Sequence, residues 1–414
     1  MNKIFIQIKS AFSSLMRQRS RTTLTIIAVA IGIASLITMI AAGNGLKAMV
    51  LKELEAYGSD MINIEVRVPG KGATGSSTSF ATGTTITTFK NSDAEKIGKV
   101  DNVELLYTYI TGQEIIKYQG EAKSTMIFGY GANAPLIEKI PIDVGRFYSV
   151  DEEESISSVI VLGSKIKDDL FGDDDAIDKT VYVRGKPFKV VGVLKERGAT
   201  FGMNMDSIVY IPTLTMQKKL LGTDYIIGLS VKVNDVNKIN ETKDELTILM
   251  RELHNINSPD EDDFEVMTMA DAQTMVGTVL SAITMLLAVI AAVSLVVGGV
   301  GITNIMYVSV IERTFEVGLR RAVGAKKNDI LWQFLLEASI LTFLGGLLGV
   351  IIGMGVSFLI YYVAVSFGLD WTYAVSPFSI ILSLLFSAII GMFFGVYPAQ
   401  KAANMDPINA LRQE

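Results

Sequence analysis

The sequence predicts a membrane protein with four transmembrane α-helices and a large α+β extracytoplasmic domain inserted between the first and second helices. Half of the 414 residues are hydrophobic, only 19% are charged, and the mean hydropathy is +0.39, a combination that is rare in soluble globular chains. Four stretches contain no charged residue, and each is longer than the roughly 20 apolar residues that cross a bilayer. They are residues 22–46, 272–311, 338–369 and 371–400.

These stretches divide the chain into consecutive predicted segments. The segments are a cytoplasmic N-terminal segment (1–21), the first transmembrane helix (22–46), the extracytoplasmic domain (47–275), the second transmembrane helix with a stalk (276–311), a cytoplasmic loop with a short helix (312–330), the third transmembrane helix (331–365), an external loop (366–376), the fourth transmembrane helix (377–398) and a cytoplasmic C-terminal tail (399–414). A cleaved signal peptide is the alternative for the first stretch, because basic residues precede it. Its uncharged part exceeds a signal core of about 7 to 15 residues, so we predict a retained span.

Basic residues close to the spans predict which loops are cytoplasmic. The N-terminal segment and the loop after the second span each carry five of them, whereas the short loop between the third and fourth spans carries only the acidic Asp370. The ten basic residues are Lys3, Lys9, Arg17, Arg19, Arg21, Arg313, Arg320, Arg321, Lys326 and Lys327. This distribution predicts a multi-pass protein of the cytoplasmic (inner) membrane whose large domain lies outside the cytoplasm.

The large domain is acidic and shows the patterns of both strands and helices. Residues 43–275 contain 36 Asp and Glu against 25 Lys and Arg. Apolar and polar residues alternate at 62–68, and residues 180–194 contain two strand patterns separated by a turn. A helix is predicted at 240–254, and another is predicted to open at a capping box of Ser92 and Glu95.

Residues that could carry out catalysis are scarce in this domain. His254 is the single histidine, and we predict a surface residue rather than a metal ligand. "GKGATGSS", residues 70–77 of a Gly/Ser/Thr-rich loop at 69–89, lacks the lysine that a phosphate-binding loop places after its last glycine. The acidic runs at 151–154 and 173–175 could attract Ca²⁺ or cationic peptides, but such runs are usually solvated loops. We predict no bound metal, no cofactor bound by this chain and no nucleic acid partner.

Glycines in three of the spans suggest close packing and bending. They recur every fourth residue in the third and fourth spans, which lines them along one helix face. These are Gly345, Gly349 and Gly353, and then Gly391 and Gly395. The second stretch would be about 60 Å long as one helix, twice the hydrocarbon thickness, so its part near 272–282 is predicted to leave the membrane as a stalk. Its candidate hinge residues are Gly298, Gly299 and Gly301.

The stretch "RTFEVGLRRAVGAKK", residues 313–327, predicts a short amphipathic helix in the cytoplasmic loop. Four apolar residues fall on one side at helical spacing: Phe315, Leu319, Ala322 and Val323. Glu316 and Arg320 form an i,i+4 pair in the favourable order, and Gly324 is predicted to cap the C-terminal end. The alternative is an interfacial helix resting on lipid headgroups, which so small an apolar face does not favour.

Several stretches resemble those of the MacB/FtsX-like permeases of ABC transporters, and together they cover nearly the whole chain. "RTFEVGLRRAVGAKKNDILWQFLLEA" resembles the signature of that family, and so does "MDPINALR" at 405–412. "RQRSRTTLTIIAVAIGIASLITM" resembles its first span, and residues 145–194 resemble its external domain. MacB itself has an ATP-binding domain fused ahead of the first span. Here about 21 residues precede that span and no Walker motif occurs, so a stand-alone permease with a separate ATPase is expected.

The resemblance implies a non-catalytic membrane subunit, with ATP and Mg²⁺ bound by a partner ATPase. In the family, the loop after the second span forms a coupling helix docked on that ATPase. Its motion reaches the external domain by mechanotransmission, without passage of substrate through the spans. The residues of this chain that match the contact are Glu316, Val317, Gly318, Arg320, Arg321, Gly324 and Ala325.

The resemblance also implies an assembly and a function. Expected partners are the lipid bilayer, an ABC ATPase subunit, a second permease copy or a related permease, and an extracytoplasmic adaptor protein. The expected function is export of a peptide, antibiotic or lipid-linked substrate. The alternatives are an FtsX-like module that regulates an extracellular hydrolase and a LolC-type permease that extracts lipoproteins. An external domain of about 230 residues favours export, since it resembles MacB more than the smaller FtsX domain.

The predicted topology places Ser77 and Lys326 on opposite sides of the membrane. The chain contains no cysteine, so a single cysteine can be introduced at either position. We expect a membrane-impermeant maleimide to label Ser77→Cys in intact spheroplasts and to label Lys326→Cys only after permeabilisation. Labelling of both variants from outside would contradict the four-span topology.

Overall fold

The computed structural model describes residues 19–55, 58–70, 86–200 and 203–411. The basic residues at positions 3, 9 and 17, and residues 71–85 of the Gly/Ser/Thr-rich loop, lie outside them. The chain forms two compact units, one of residues 50–275 and the other of the described residues in 1–49 and 276–414. Both boundaries fall inside continuous helices.

The described helices and strands are as follows. The helices are α1 (Arg19–Glu55), α2 (Asn91–Ile97), α3 (Ala134–Glu138), α4 (Val150–Glu154), α5 (Ser164–Phe171), α6 (Thr213–Thr215), α7 (Ile239–His254), α8 (Met269–Glu312), α9 (Thr314–Ala322), α10 (Lys327–Ser366), α11 (Pro377–Ala403) and α12 (Pro407–Leu411). The strands are β1 (Met61–Val66), β2 (Val103–Tyr118), β3 (Glu121–Tyr130), β4 (Ile142–Gly145), β5 (Val159–Leu162), β6 (Thr180–Val183), β7 (Lys186–Leu194), β8 (Ala199–Thr200), β9 (Met203–Asn204), β10 (Ile208–Pro212), β11 (Gly228–Val233) and β12 (Phe264–Thr268).

Four of the described helices, α1, α8, α10 and α11, are long and apolar enough to cross a membrane. This confirms the predicted number of spans. With 37 and 44 residues, α1 and α8 are about 55 and 66 Å long, well above the roughly 30 Å of a hydrocarbon core. Both helices also extend beyond the predicted spans, α1 to Glu55 and α8 back to Met269.

Glycines bring α10 into close contact with its neighbours. A methyl group on Gly349 would lie only 2.7 Å from the carbonyl oxygen of Ala30 and from Cβ of Ile33, both on α1. The backbones therefore approach as closely as glycine allows, in the manner of small-residue packing between membrane helices. The same closeness holds for Gly345 and Gly353 against α1, and for Gly391 and Gly395 of α11 against α10.

The unit of residues 50–275 is built on a mixed sheet of ten strands among the described residues. Nine of them follow the order β12-β1-β11-β2-β3-β10-β5-β7-β4, and β6 pairs with β2 and β7. The β10–β3 and β5–β7 pairs are parallel, and the others are antiparallel. The two strands expected at 180–194 form the β6–β7 hairpin, where Arg184 and Gly185 adopt positive φ at the turn. The predicted α+β class and the helix expected at 240–254 are confirmed.

Alternating side chains give this sheet two apolar faces. In β5, Ile160 and Leu162 pack with α5, whereas Val159 and Val161 pack with α3 on the opposite face. At the other side of the sheet, β1, β11 and β12 pack with α2 and α7. Two helical layers thus cover parts of one sheet, which is the arrangement expected of a domain this size without disulfides.

Two polar predictions in this unit were wrong. Helix α2 begins at Asn91 rather than at a cap formed by Ser92, because the carboxylate of Asp93 accepts the backbone N–H of Lys90 at 2.8 Å. His254 is not a surface residue, since only 5% of its side chain is exposed. Its Nδ1 lies 2.7 Å from Asp263, and its Nε2 lies 3.6 Å from Asp93.

The acidic run at 151–154 is also not a solvated loop. It forms most of α4, and Arg146 binds Glu152 through two bonds of 2.6 and 2.7 Å, which lower the pKa of Glu152 to about 2. Glu153 accepts the backbone N–H of Ala132 at 2.7 Å, and burial raises its pKa to about 7. Through these hydrogen bonds, the run connects the loop that contains Arg146 to the loop that contains Ala132. The second run, at 173–175, is exposed as expected.

The buried histidine predicts a specific pH dependence. Burial lowers the pKa of His254, but Asp263 and Asp93 outweigh that effect and raise the pKa above 6.5. Protonated His254 therefore stabilises the folded state at pH values below its unfolded pKa, and this stability is lost as the pH rises through the folded pKa. We expect backbone amides of residues 251–264 to exchange faster at about pH 8 than at about pH 6, after correction for intrinsic rates.

His254→Gln tests the origin of that dependence. It should lower local stability by roughly 1 to 3 kcal/mol at the acidic pH, because Asp263 loses a charged partner, and it should remove the difference between the two pH values. His254→Gln with an unchanged pH dependence would exclude the histidine as its source.

Candidate functional site

The cytoplasmic helix expected at 313–327 is α9, which follows α8 after the single residue Arg313. Its C-terminal end has the hydrogen bonds of a Schellman motif, from Gly324 N–H to Arg321 O at 3.1 Å and from Ala325 N–H to Arg320 O at 3.0 Å. Gly324 has a φ of +101°, which favours glycine. The predicted end of the helix is therefore confirmed, and Gly324 and Ala325 form the turn into α10.

The charged side of α9 is bound to α10 by a buried ion pair. Arg313 donates to Glu316 at 3.0 Å and to Glu337 of α10 at 3.1 Å. The Glu337 side chain is only 3% exposed, and the Arg313 guanidinium also lies 5.5 Å from the ring centre of Phe334. An ion pair withdrawn from water in this way holds its two partners in place, because losing either one strands a buried charge.

A second set of polar contacts reinforces the first. Arg320 donates to Glu316 at 2.7 Å, as the i,i+4 spacing predicted, and to Gln333 of α10 at 2.5 Å. Arg321 donates to the backbone oxygen of Ala403 in α11 at 3.1 Å. The arginines expected to face an ATPase therefore bind within the permease, although Arg320 keeps 39% of its side chain exposed.

Two of the expected contact residues are buried within the permease. Val317 is 3% exposed, and a methyl group on Gly318 would lie 2.6 Å from Cβ of Ala410. The structure therefore does not support direct contact of a partner with Val317 or Gly318. Val317 instead packs in the apolar core formed by the long helices, and Gly318 packs against α12.

The outward side of α9 is apolar. Phe315, Leu319 and Val323 are 56%, 50% and 82% exposed, and Ala322 lies between them. We call these four residues the apolar stripe. Their helical spacing was visible in the sequence, but an apolar side is normally expected to face inward. Nothing local in the sequence signals that it points outward here.

The candidate hinge glycines lie within an unbroken α8. Gly298 and Gly299 are buried, and a methyl group on Gly299 would overlap the ring of Phe394 in α11. Gly301 has open space around it. Bending at these residues stays a prediction. In the part of the chain that the structure describes, no group of three or more acidic or histidine side chains could hold a metal ion.

Two family models together match most of the chain. Residues 22–249 match the MacB-like periplasmic core domain, and residues 288–407 match the FtsX-like permease C-terminal domain. A relative from Chlorobaculum tepidum, "Macrolide export ATP-binding/permease protein MacB", is 36% identical over 98% of this chain. The chain belongs to the MacB-like family of ABC transporter permeases. The family recognised from the sequence is confirmed, and the chain is a multi-pass membrane protein of the cytoplasmic membrane and a transporter component.

Other relatives extend the comparison. "Pyoverdine export ATP-binding/permease protein PvdT" of Pseudomonas syringae is 31% identical over the whole chain. The chain spans 61% of the length of the Chlorobaculum relative and 60% of the Pseudomonas one. Among solved structures, the periplasmic region of MacB from Actinobacillus actinomycetemcomitans is 21% identical, with a TM-score of 0.46, over 55% of this chain and 97% of that one.

The Arg313–Glu337 pair predicts how firmly α9 is held. Glu337→Gln removes the buried carboxylate that Arg313 binds on α10 and leaves the pair with Glu316, so we expect a cost below the roughly 3 to 5 kcal/mol of a fully stranded buried charge. We expect trypsin to cleave after Arg320 and Arg321 at least about tenfold faster in this variant, because local opening exposes those bonds. Glu95→Gln, which removes an exposed carboxylate in the other unit, is the matched control. Equal cleavage rates in both variants would mean that the pair does not anchor α9.

Proposed function

We propose that this chain is the permease subunit of an ABC exporter and that a separate ATPase subunit, which binds ATP and Mg²⁺, docks on α9. ATP-driven motion of the docked subunit would move the extracytoplasmic domain by mechanotransmission. The exposed apolar stripe is the observation that carries this proposal. A cytoplasmic helix that turns apolar residues outward, while its charges bind inward, offers a surface whose burial favours association.

The same contacts suggest how a force applied to the apolar stripe would be transmitted to the rest of the permease. Because Arg313, Glu316 and Arg320 join α9 to α10, a push on the apolar stripe would not simply rotate a loose helix. Helices α1 and α8 each continue from one compact unit into the other without interruption. Displacement at the cytoplasmic end of α8 would therefore travel along a hydrogen-bonded helix into the unit of residues 50–275.

The remaining partners follow from the family. We infer a dimer of two permease copies, or of this chain and a related permease, on two ATPase subunits, together with an extracytoplasmic adaptor. The curated relatives are named for export of a macrolide and of pyoverdine. Those names support export of a peptide, antibiotic or lipid-linked substrate from the outer face, in preference to control of an extracellular hydrolase.

A charge placed in the apolar stripe tests the docking surface. Leu319→Asp removes apolar area and places a charge in the interface, and the two effects together cost about 3 kcal/mol or more, equivalent to roughly a 100-fold loss of affinity. We expect the variant to insert normally, because Leu319 is exposed in the permease, and to lose the ATPase in co-purification from membranes. Leu136→Asp, at a 64% exposed leucine in the other unit, should retain it.

A second variant separates docking through the apolar stripe from docking through charge. Arg320→Gln keeps the stripe and removes one inward-facing charge, so it should retain most of the ATPase. If Arg320→Gln abolishes co-purification while Leu319→Asp does not, the partner binds the charged side. If neither variant changes it, α9 is not the docking helix.

A further inference from the structure

A cleft opens at the place in the unit of residues 50–275 where α1 ends and α8 begins. Its volume is about 500 Å³, within the range of about 300 to 1,000 Å³ that is typical of small-molecule sites. It is lined by Glu55, Gly58, Ser59, Val236, Ile239, Thr268, Met269, Ala270 and Gln273. All three elements that meet there, the end of α1, the turn before α7 and the start of α8, belong to this one unit.

The body of the cleft is apolar. Val236 is 41% exposed, and Ile239, Met269 and Ala270 complete the aliphatic wall. Thr268 offers no free donor, because its hydroxyl donates to Asp271 at 2.8 Å, and Lys243 binds the same carboxylate at 2.8 Å. Exposed aliphatic side chains grouped in a concave site favour an apolar guest rather than water.

Besides Thr268, the polar side chains that line the cleft are the carboxylate of Glu55, the primary amide of Gln273 and the hydroxyl of Ser59. Within the residues that the structure describes, the side chains of Glu55 and Gln273 make no hydrogen bond or ion pair. Lys243 is paired with Asp271, and the exposed Lys238, between Val236 and Ile239 in the chain, does not line the cleft. The carboxylate of Glu55 and the amide oxygen of Gln273 can both accept hydrogen bonds from an ammonium group. The apolar wall beside them can bury a hydrocarbon body attached to that ammonium group.

We propose that this cleft binds amphiphilic amines, with the hydrocarbon body against Val236, Ile239 and Met269 and the ammonium group at Glu55 and Gln273. Each methylene group that the cleft buries strengthens binding about fourfold. The inference deepens the proposed function and rests on it, since it names the class of molecule whose binding would respond to movement of α1 and α8. The amine can be a membrane lipid with a primary ammonium headgroup or a soluble amphiphile.

Photolabelling of the full chain tests the site directly. The protein is placed in phosphatidylcholine nanodiscs, exposed to a dodecylamine that carries a diazirine, irradiated and digested, and the labelled peptides are identified by mass spectrometry. A diazirine-bearing dodecanol of the same length is the neutral control probe. We expect the amine to label peptides containing 55–59, 236–239 and 268–273 about tenfold more than the alcohol does, the ratio that one charge-assisted contact supplies.

Two pairs of variants assign the label to the cleft. Ala270→Trp fills the cavity and should reduce labelling of those peptides about tenfold, whereas Leu136→Trp at an exposed position elsewhere in the unit should not. Glu55→Gln should make amine and alcohol label equally, whereas Asp143→Asn should preserve the preference for the amine. Equal labelling by both probes in the unsubstituted protein, or labelling that Ala270→Trp leaves unchanged, would overturn the proposal.

Competition identifies the source of the amine. If phosphatidylethanolamine added to the nanodiscs suppresses labelling, the occupant is a lipid headgroup with its chains, and if only free dodecylamine suppresses it, the occupant is a soluble amphiphile. Either result supports the proposal that the cleft binds an amphiphilic amine. Because no ATPase is present, a failure here leaves the docking of α9 untouched, and a failure of docking leaves this binding result intact.

Discussion

A buried ion pair between Arg313 and Glu337 determines which side of α9 is available to another protein. The carboxylate is 3% exposed and lies on α10, and the guanidinium also binds Glu316 on α9. Turning the charged side outward would break the Arg313–Glu337 pair, and breaking a buried ion pair is strongly unfavourable. Phe315, Leu319 and Val323 are therefore presented outward as a consequence of what lies beneath the helix.

The sequence predicted the local features of α9 and missed its orientation. The Glu316–Arg320 pair and the end at Gly324 depend on residues within five positions of each other, so their spacing was sufficient. The partners that set the orientation lie 24 positions away, for Glu337, and 13 positions away, for Gln333. A periodicity argument assumes that charge faces water, and it fails where a neighbouring helix supplies a buried carboxylate.

The same division holds in the unit of residues 50–275. The β6–β7 hairpin and α7 were predictable because a short turn and a regular apolar period specify them. The burial of His254 was not predictable from the sequence, since it depends on Asp263 and on Asp93, which belongs to a different helix. Likewise, Glu152 and Glu153 are held by Arg146 and by the backbone of Ala132. Composition alone cannot distinguish such an acidic run from a solvated one.

The path of the chain explains why the proposed force would reach the extracytoplasmic sheet. Strand β12 ends at Thr268 and α8 begins at Met269, while α8 ends at Glu312 and α9 begins at Thr314. The sheet, α8 and α9 therefore follow one another along the chain, with almost no intervening loop that could absorb a displacement. In the bundle, α8 also lies in close contact with its neighbours, at Gly299 against Phe394 of α11 and at Leu295 against Gly32 of α1. By contrast, α10 and α11 are joined by an external loop and do not continue into the sheet. Of the four long helices, α1 and α8 are thus the two that belong to both compact units, and the proposed movement would pass through them.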